Sequence, residues 1–496
     1  MIKIQNTVIK KQSNFWNHCL FHPTDAVEDA WGKRILDRMA EDGSVQTVRI
    51  YAMLEDIVYM DENGCLQYDF RTNDLRLDYL IEKGYDILLA YACIPDCIAA
   101  STSNKTSVSK NKTRYKGKMW NSAPPRDYAL WEQVCHEYTK HIVERYGLET
   151  VSHWRLQCFN EPDIPEFFFS ELPKHEEWAT QKRLEEYCKL YEHFQRGIRR
   201  VSEEIKIGGP ALAYKLSFLG GFLDYVKEHG LKLDFISVHN YGTTPGELNR
   251  GVKPICVNNQ IERHKEYVQT VKEHGFDNIP LTVDEWGMST SGFLNREECP
   301  ALMARETEVF SAYYVKLIHS LIDADFIMDK IIICLSGQHE MVEDFSGFRN
   351  FFTLNFIAKP IYNAYILASK LGEGLLASEV ENKNIFVIPT QNARGEYAVL
   401  LSYSSEYFEE NLPALEETIR FAEDIGDKTV TVWCIDKETT NPYRLYQKMG
   451  IEVPGEADLK ILREEGKLKP VKIQKGTEPL TLRQTSNATY LITVTE

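Results

Sequence analysis

Eight short apolar runs of β character, each followed by a longer amphipathic stretch, fill the first two-thirds of this 496-residue chain. The runs are Phe15 to Leu20, Val45 to Tyr51, Ile87 to Cys93, Ser152 to Phe159, Ile205 to Gly208, Phe235 to His239, Leu281 to Asp284 and Ile327 to Leu335. The intervening stretches carry apolar residues at helical spacing, notably Asp25 to Met39, Tyr128 to Tyr146, Thr180 to Val201 and Arg305 to Ile322. A buried strand needs both faces covered, and an amphipathic helix supplies one cover, so the alternation reads as repeated βα units. Eight units over this length favour a closed (β/α)8 barrel over an open doubly wound sheet. The nucleotide-binding fingerprints of the open fold are missing as well: no Gly-x-Gly-x-x-Gly follows the first run and no phosphate loop occurs. Gly208-Gly209-Pro210 is too short to cradle phosphates, and it reads as a strand-to-loop turn.

After Gly372 the pattern changes to short alternating runs separated by turn residues. They span Ile385 to Pro389, Tyr397 to Tyr403, Glu417 to Phe421, Lys428 to Ile435, Leu480 to Leu482 and Tyr490 to Val494, with a helical stretch at Ala457 to Glu465. This predicts a small antiparallel β-sandwich, to which the alternating opening segment Ile2 to Ile9 adds a strand. The expected division is a catalytic barrel over 13–370 and an accessory sandwich built from 1–12 and 371–496.

The charge balance narrows the partners. Lys and Arg number 57 against 73 Asp and Glu, a net −16, so binding to nucleic acid or to anionic membranes is not expected. The basic stretch of Lys105, Lys110, Lys112, Arg114, Lys116 and Lys118 lies among Ser, Thr and Asn and reads as a solvated loop. The first residues show no apolar signal region, and no run approaches the roughly 18 apolar residues of a membrane span. Eleven cysteines sit singly within apolar or helical segments, which predicts reduced, buried thiols and a cytoplasmic protein.

In a barrel of this kind reactive groups stand at the C-terminal ends of the strands. The fourth run ends in Asn160-Glu161-Pro162-Asp163 and the seventh in Asp284-Glu285-Trp286. Glu161 and Glu285 lie three βα units apart and are therefore expected to face each other across the mouth. Glycoside cleavage uses such a pair, one protonated to assist the leaving oxygen and one ionised to meet the anomeric carbon. Asn160 is placed to donate a hydrogen bond to a sugar hydroxyl. Cys93-x3-Cys97 and His18-x3-His22 are too sparse for a zinc site, and no Gly-x-Ser-x-Gly is present. Neither a metal nor an organic cofactor is expected.

These residues resemble glycoside hydrolase family 39, the β-xylosidase and α-L-iduronidase family of retaining (β/α)8 barrels. The likeness is carried by Asn160-Glu161-Pro162, Gly208-Gly209-Pro210-Ala211, Asp234 to Tyr241, Pro124 to Tyr128, Asp284-Glu285-Trp286, Lys359-Pro360 and Asn441 to Gly450, nearly the whole chain. The resemblance implies that Glu161 is the general acid/base and Glu285 the nucleophile. It also implies that His239 and Tyr241 line the sugar subsite and that Arg49 supports the nucleophile. Tyr51 and Trp286 complete the expected sugar contacts, and a homo-oligomer is implied.

The departures concern specificity. Arg49-Ile50-Tyr51-Ala52 stands where the xylosidases carry Arg-x-His-Gly, and Phe167-Phe168 where they carry Trp. Gly287-Met288 replaces an Asn-Thr pair, and Ile332 to Glu340 lacks the Trp-rich pattern of their eighth strand. Loss of an indole face weakens stacking on a pyranose, which Glu340 is expected to offset as a polar contact. The reading is a retaining glycosidase acting on short glycosides with an altered glycone pocket. A sugar-binding barrel without turnover and a transglycosylase using the same glutamates are the alternatives.

Overall fold

The computed structural model describes residues 1–22, 26–106, 120–290, 294–322, 327–337, 341–408, 412–485 and 487–496. The basic stretch lies outside the described residues apart from Lys105, and so does Glu340.

Eight parallel strands close into a barrel: His18–Leu20, Thr47–Tyr51, Asp86–Tyr91, Arg155–Cys158, Lys206–Leu212, Phe235–Tyr241, Leu281–Gly287 and Met328–Cys334. They are numbered one to eight below. All eight fall on the runs expected from sequence. The fourth is shorter at its start, because Ser152 and His153 finish a short helix, Leu148–His153. Helices Ala30–Asp42, Tyr128–Tyr146, Glu177–Arg199 and Glu308–Ile322 occupy four of the expected helical stretches. The first begins later than its pattern suggested, because the Asp29 carboxylate accepts from the Trp31 and Gly32 amides and caps it there.

The Gly208-Gly209-Pro210 segment corrects its expected role. It lies inside strand five rather than in a turn. A Cβ on Gly208 would meet the Phe235 carbonyl oxygen at 2.3 Å, and one on Gly209 would meet the Tyr187 hydroxyl at 2.4 Å. The glycines are there for close packing.

Besides two short hairpin-like pairs, Val58–Met60 with Leu66–Tyr68 and Lys105–Thr106 with Trp120–Asn121, the other described strands form one nine-stranded sheet, in the order Pro470–Lys475, Thr429–Ile435, Ala488–Thr495, Tyr397–Tyr403, Ile385–Gln391, Gly374–Val380, Ile2–Lys11, Leu415–Phe421 and Leu480–Gln484. Pairing is antiparallel except where Ile2–Ile4 runs parallel to Ile419–Phe421. Tyr397 and Phe421 belong to strands four places apart, which in a flat sheet would separate them by roughly 19 Å. Their ring centroids are 5.2 Å apart, so the sheet doubles over on itself around a shared apolar core.

Helix Glu308–Ile322 is apolar nearly all round because it is covered on both sides. Trp286 of the barrel stacks on its Tyr314, while Phe408 stacks on its Tyr313 from the sheet side. Glu308, fully buried at its start, accepts hydrogen bonds from Asn441 and Arg444. Among the described residues no helix is long and apolar enough to cross a membrane.

Candidate active site

The site is built where strands four and seven end. Glu161 follows strand four with a backbone φ of +46°, a left-handed conformation that costs a non-glycine residue energy. Its amide donates to the Ala211 carbonyl at 3.0 Å, which ties this turn to the end of strand five. Asp163 then binds the amides of Ala213, Tyr214 and Lys215 and fixes the two loops together.

Strand seven contains an irregularity at the decisive point. Val238 pairs with Val283, but His239 pairs with Glu285, which leaves Asp284 as an extra residue. Such a bulge interrupts the two-residue alternation. Consecutive residues Asp284 and Glu285 therefore both reach the barrel interior, and Trp286 turns outward.

Glu285 is held from several sides. Arg49 Nη1 donates to Oε1 at 2.8 Å and the Tyr241 hydroxyl to Oε2 at 2.7 Å, with the Tyr51 hydroxyl 3.3 Å from Oε1. Burial alone would raise its pKa, but His239, Arg49, Arg349 and the Tyr241 hydroxyl outweigh it and bring Glu285 down to about 2. Glu161 goes the other way. Burial raises its pKa and the negative charge of Glu285 adds to this, against a lowering by His239. The environments thus separate two chemically identical groups, one toward the acid form and one toward the anion.

Arg49 is fully buried and shared. Its Nε donates to Gln157 Oε1 at 3.0 Å and its Nη2 to Asn160 Oδ1 at 2.7 Å, with Asp284 at 3.1 Å. Gln157 in turn donates to Ser237 and Asp284, both at 2.8 Å. His239 lies between the carboxylates, its Nδ1 2.8 Å from Glu161 Oε1. One carboxylate oxygen each of Glu161 and Glu285 and one ring nitrogen of His239 lie within 4.8 Å of one another.

Above them opens a cavity of about 440 Å3, within the range of small-ligand sites. Glu161, Glu285, Tyr51 and Tyr241 line it, joined by Trp120, Phe167, Tyr214, Lys174, Ser336 and Arg349. The expected contacts thus divide. Asn160 and His239 are buried under the carboxylates rather than along the cavity wall. Asn160 Oδ1 is occupied by Arg49, while its amide nitrogen has no hydrogen-bond partner. Trp286 does not line the cavity. It is 1% exposed and stacks on Tyr314, a correction that follows from the bulge before it.

Trp120 and Arg349 were not singled out by sequence. Trp120 closes one side of the cavity by edge contacts with Tyr51 and Phe167, at 5.1 Å and 5.3 Å between ring centroids. It sits on a two-residue strand next to Lys105–Thr106, too short to leave a periodicity. Arg349 donates to the Tyr241 hydroxyl at 3.0 Å from a loop after strand eight, a position with no local motif. Gln157 did leave a signal, a polar residue within an apolar barrel strand.

A family model for glycosyl hydrolases family 39 matches residues 1–477. A beta-xylosidase of Caldicellulosiruptor saccharolyticus is 26% identical over 459 residues, 89% of this chain and 86% of that protein. An alpha-L-iduronidase of Canis lupus familiaris is 24% identical over 40% of this chain and 28% of its own length. Among solved structures, a monomeric beta-xylosidase from Caulobacter crescentus CB15 superposes with a TM-score of 0.82 at 18% identity, covering 100% of this chain and 99% of that one. The match of the family model along nearly the whole chain makes this protein a glycoside hydrolase, a member of glycosyl hydrolases family 39.

Proposed function

We propose that this protein is a retaining glycosidase that releases a terminal sugar from short glycosides, with Glu285 as nucleophile and Glu161 as acid/base. The observation that carries the reading is the pair of facing carboxylates, within 4.8 Å at one oxygen each, with pKa values displaced in opposite directions. Retaining enzymes hold their carboxyl groups about 5–5.5 Å apart, whereas inverting ones leave room for a water, about 6.5–9.5 Å.

In the first step Glu285 attacks the anomeric carbon while the Glu161 proton passes to the departing oxygen. In the second, ionised Glu161 takes a proton from water, which displaces Glu285 and restores the resting enzyme. Arg49 and Tyr241 orient Glu285 toward the cavity and keep it ionised.

The glycone pocket differs from a standard xylosidase pocket in this reading. Tyr51 and Arg349 flank the nucleophile, and Trp120 supplies an aromatic wall from a loop rather than from strand eight. β-Xylosides are the first candidates, in line with the xylosidases among the relatives. Glu340 retains its proposed role as a polar sugar contact. All eleven cysteines are free and nine of them are buried, which supports placement in the reducing cytoplasm. A homo-oligomer and the division into 13–370 and 1–12 with 371–496 belong to the same proposal; a particle of 57.4 kDa in light scattering would reject the oligomer.

The test is nitrophenol release from β-xyloside, α-arabinosides, β-glucoside, β-galactoside and α-iduronide, with Glu285→Gln alongside. Cleavage of one glycoside, lost in the variant, is expected. Binding of sugars without turnover anywhere in the panel would overturn the reading, and transfer to added sugar acceptors in place of hydrolysis would convert it to a transglycosylase.

A further inference from the structure

His239 is set in a different place from a residue that simply lines a sugar subsite. It is 1% exposed on strand six, and each ring nitrogen faces acidic oxygen. Nδ1 lies 2.8 Å from Glu161 Oε1. Nε2 lies 3.6 Å from Asp284 Oδ2 and 3.7 Å from Glu285 Oε1, and it makes no hydrogen bond. A bare nitrogen presents a lone pair, so a neutral ring with Nε2 unprotonated would aim that lone pair at two carboxylates. An N–H on each nitrogen suits every neighbour.

The charged groups around the ring come from three other parts of the barrel. Glu161 follows strand four, Asp284 and Glu285 stand on strand seven, and Arg49 on strand two holds both acids of strand seven. Arg349, which donates to the Tyr241 hydroxyl, also acts on Glu285. Asp163, next but one to Glu161, is engaged with the amides of 213–215. From the helix packed outside, the Tyr267 hydroxyl donates to the His239 backbone carbonyl and leaves the ring nitrogens untouched.

We infer that His239 is a resident imidazolium that both glutamates use in turn, a positioning residue whose single positive charge balances whichever glutamate is ionised. This deepens the double-displacement reading and rests on it. In the resting enzyme Glu161 carries its proton, Glu285 is an anion, and His239 completes a neutral trio through Nε2. During glycosylation the bond from the anomeric carbon to the leaving oxygen breaks, a bond to Glu285 forms, and the Glu161 proton departs with the leaving group. Glu285 is then an uncharged ester and Glu161 an anion, now balanced through Nδ1. In deglycosylation a proton of water goes to Glu161 and its oxygen to the anomeric carbon, while the ester bond returns its electrons to Glu285. His239 keeps both its protons throughout, and the trio is neutral at each stage. No charge has to be imported into a buried site, where a net charge is expensive. The displacement of the His239 pKa well above 6.5 agrees, because Glu285 and Asp284 overcome a burial that would lower it.

The first test needs no substrate. Long-range proton–nitrogen NMR on protein labelled with 15N-histidine, with His239 assigned by its loss in His239→Asn, is expected to show two protonated nitrogens at pH 7. One protonated and one bare nitrogen there would overturn the proposal. It would leave the glycosidase reading intact, since that reading is tested by the glycoside panel. The second test is the pH profile of kcat/KM in His239→Asn, which keeps a polar side chain but no charge. The alkaline limb is expected to move to higher pH by about one unit or more, and an acid limb to appear, since both glutamates lose the same neighbouring cation. A fall in kcat with the shape of the profile unmoved would show a merely structural residue and reject the inference. Should His239→Asn not fold, His239→Gln supplies both the NMR assignment and the pH profile.

Discussion

Arg49 and Glu285 meet at 2.8 Å, Nη1 to Oε1, although they come from strands two and seven on different sides of the barrel. The contact lies at the centre of a buried polar set that includes Gln157, Asn160 and Asp284. Its position explains why Glu285, although buried, remains an anion: the guanidinium cannot deprotonate and is held in register by three other partners.

Removal of that guanidinium therefore has two expected costs. Arg49→Met leaves the Asp284 and Glu285 carboxylates buried without their partner, a loss of about 3–5 kcal/mol of stability. Turnover should fall as well, because Glu285 loses both orientation and a cation. Denaturant unfolding and steady-state kinetics check the two effects. An unchanged unfolding midpoint would show that the pair contributes little.

The two glutamates should set the pH dependence of kcat/KM. Glu285 must be ionised, and with its pKa near 2 it remains so through the whole mildly acidic range. Glu161 must be protonated, and its raised pKa allows this above the usual 4.5. For glycosides whose leaving group needs that proton, the profile is expected to be flat on the acid side and to fall on the alkaline side, with Glu161→Gln removing the alkaline limb. A rate that rises with pH through that region would assign the roles the other way.

Trp286→Ala and Trp120→Ala should separate packing from recognition. Trp286 stacks on Tyr314 and contacts Phe310, so its truncation is expected to cost about 3–5 kcal/mol of stability with little change in KM. Trp120 lines the cavity, so its truncation should raise KM several-fold, in keeping with about 0.5–1.5 kcal/mol for a specific aromatic contact. The reverse pattern would return Trp286 to the sugar site.

The contrast shows how far the sequence alone reaches. The eight barrel strands and both glutamates were legible, because apolar periodicity and the strand-end position of a charged residue are local signals. The orientation of Trp286 was not: strict alternation from Glu285 depends on a register that the Asp284 bulge changes, and the bulge is defined only against His239 on the neighbouring strand. Arg349 and Trp120 arrive on loops, where no period marks a side chain as inward. The family resemblance identified His239 and Tyr241 but not their division of labour, which emerges from distances to Glu161 and Glu285. The sandwich was legible as alternating strands, but its parallel contact between Ile2–Ile4 and Ile419–Phe421 joins segments over 400 residues apart.

Substitution of Glu285, the proposed nucleophile, should be far more damaging than that of any neighbour. Glu285→Gln keeps the shape and the Tyr241 contact but cannot form the glycosyl ester, so kcat should fall by about 10⁴-fold or more. Glu161→Gln should instead spare the first step for nitrophenyl leaving groups, which depart without a proton, and slow the second. A burst of nitrophenol followed by a slow steady state is the expected signature in stopped-flow measurements.

The most direct test of the account is the anomeric configuration of the first sugar released, followed by proton NMR before mutarotation, on whichever glycoside of the panel is cleaved. Two displacements at one carbon, by Glu285 and then by water activated by Glu161, predict a product with the configuration of the substrate. A product of opposite configuration would mean a single displacement by water, and would contradict the assignment of Glu285 as nucleophile.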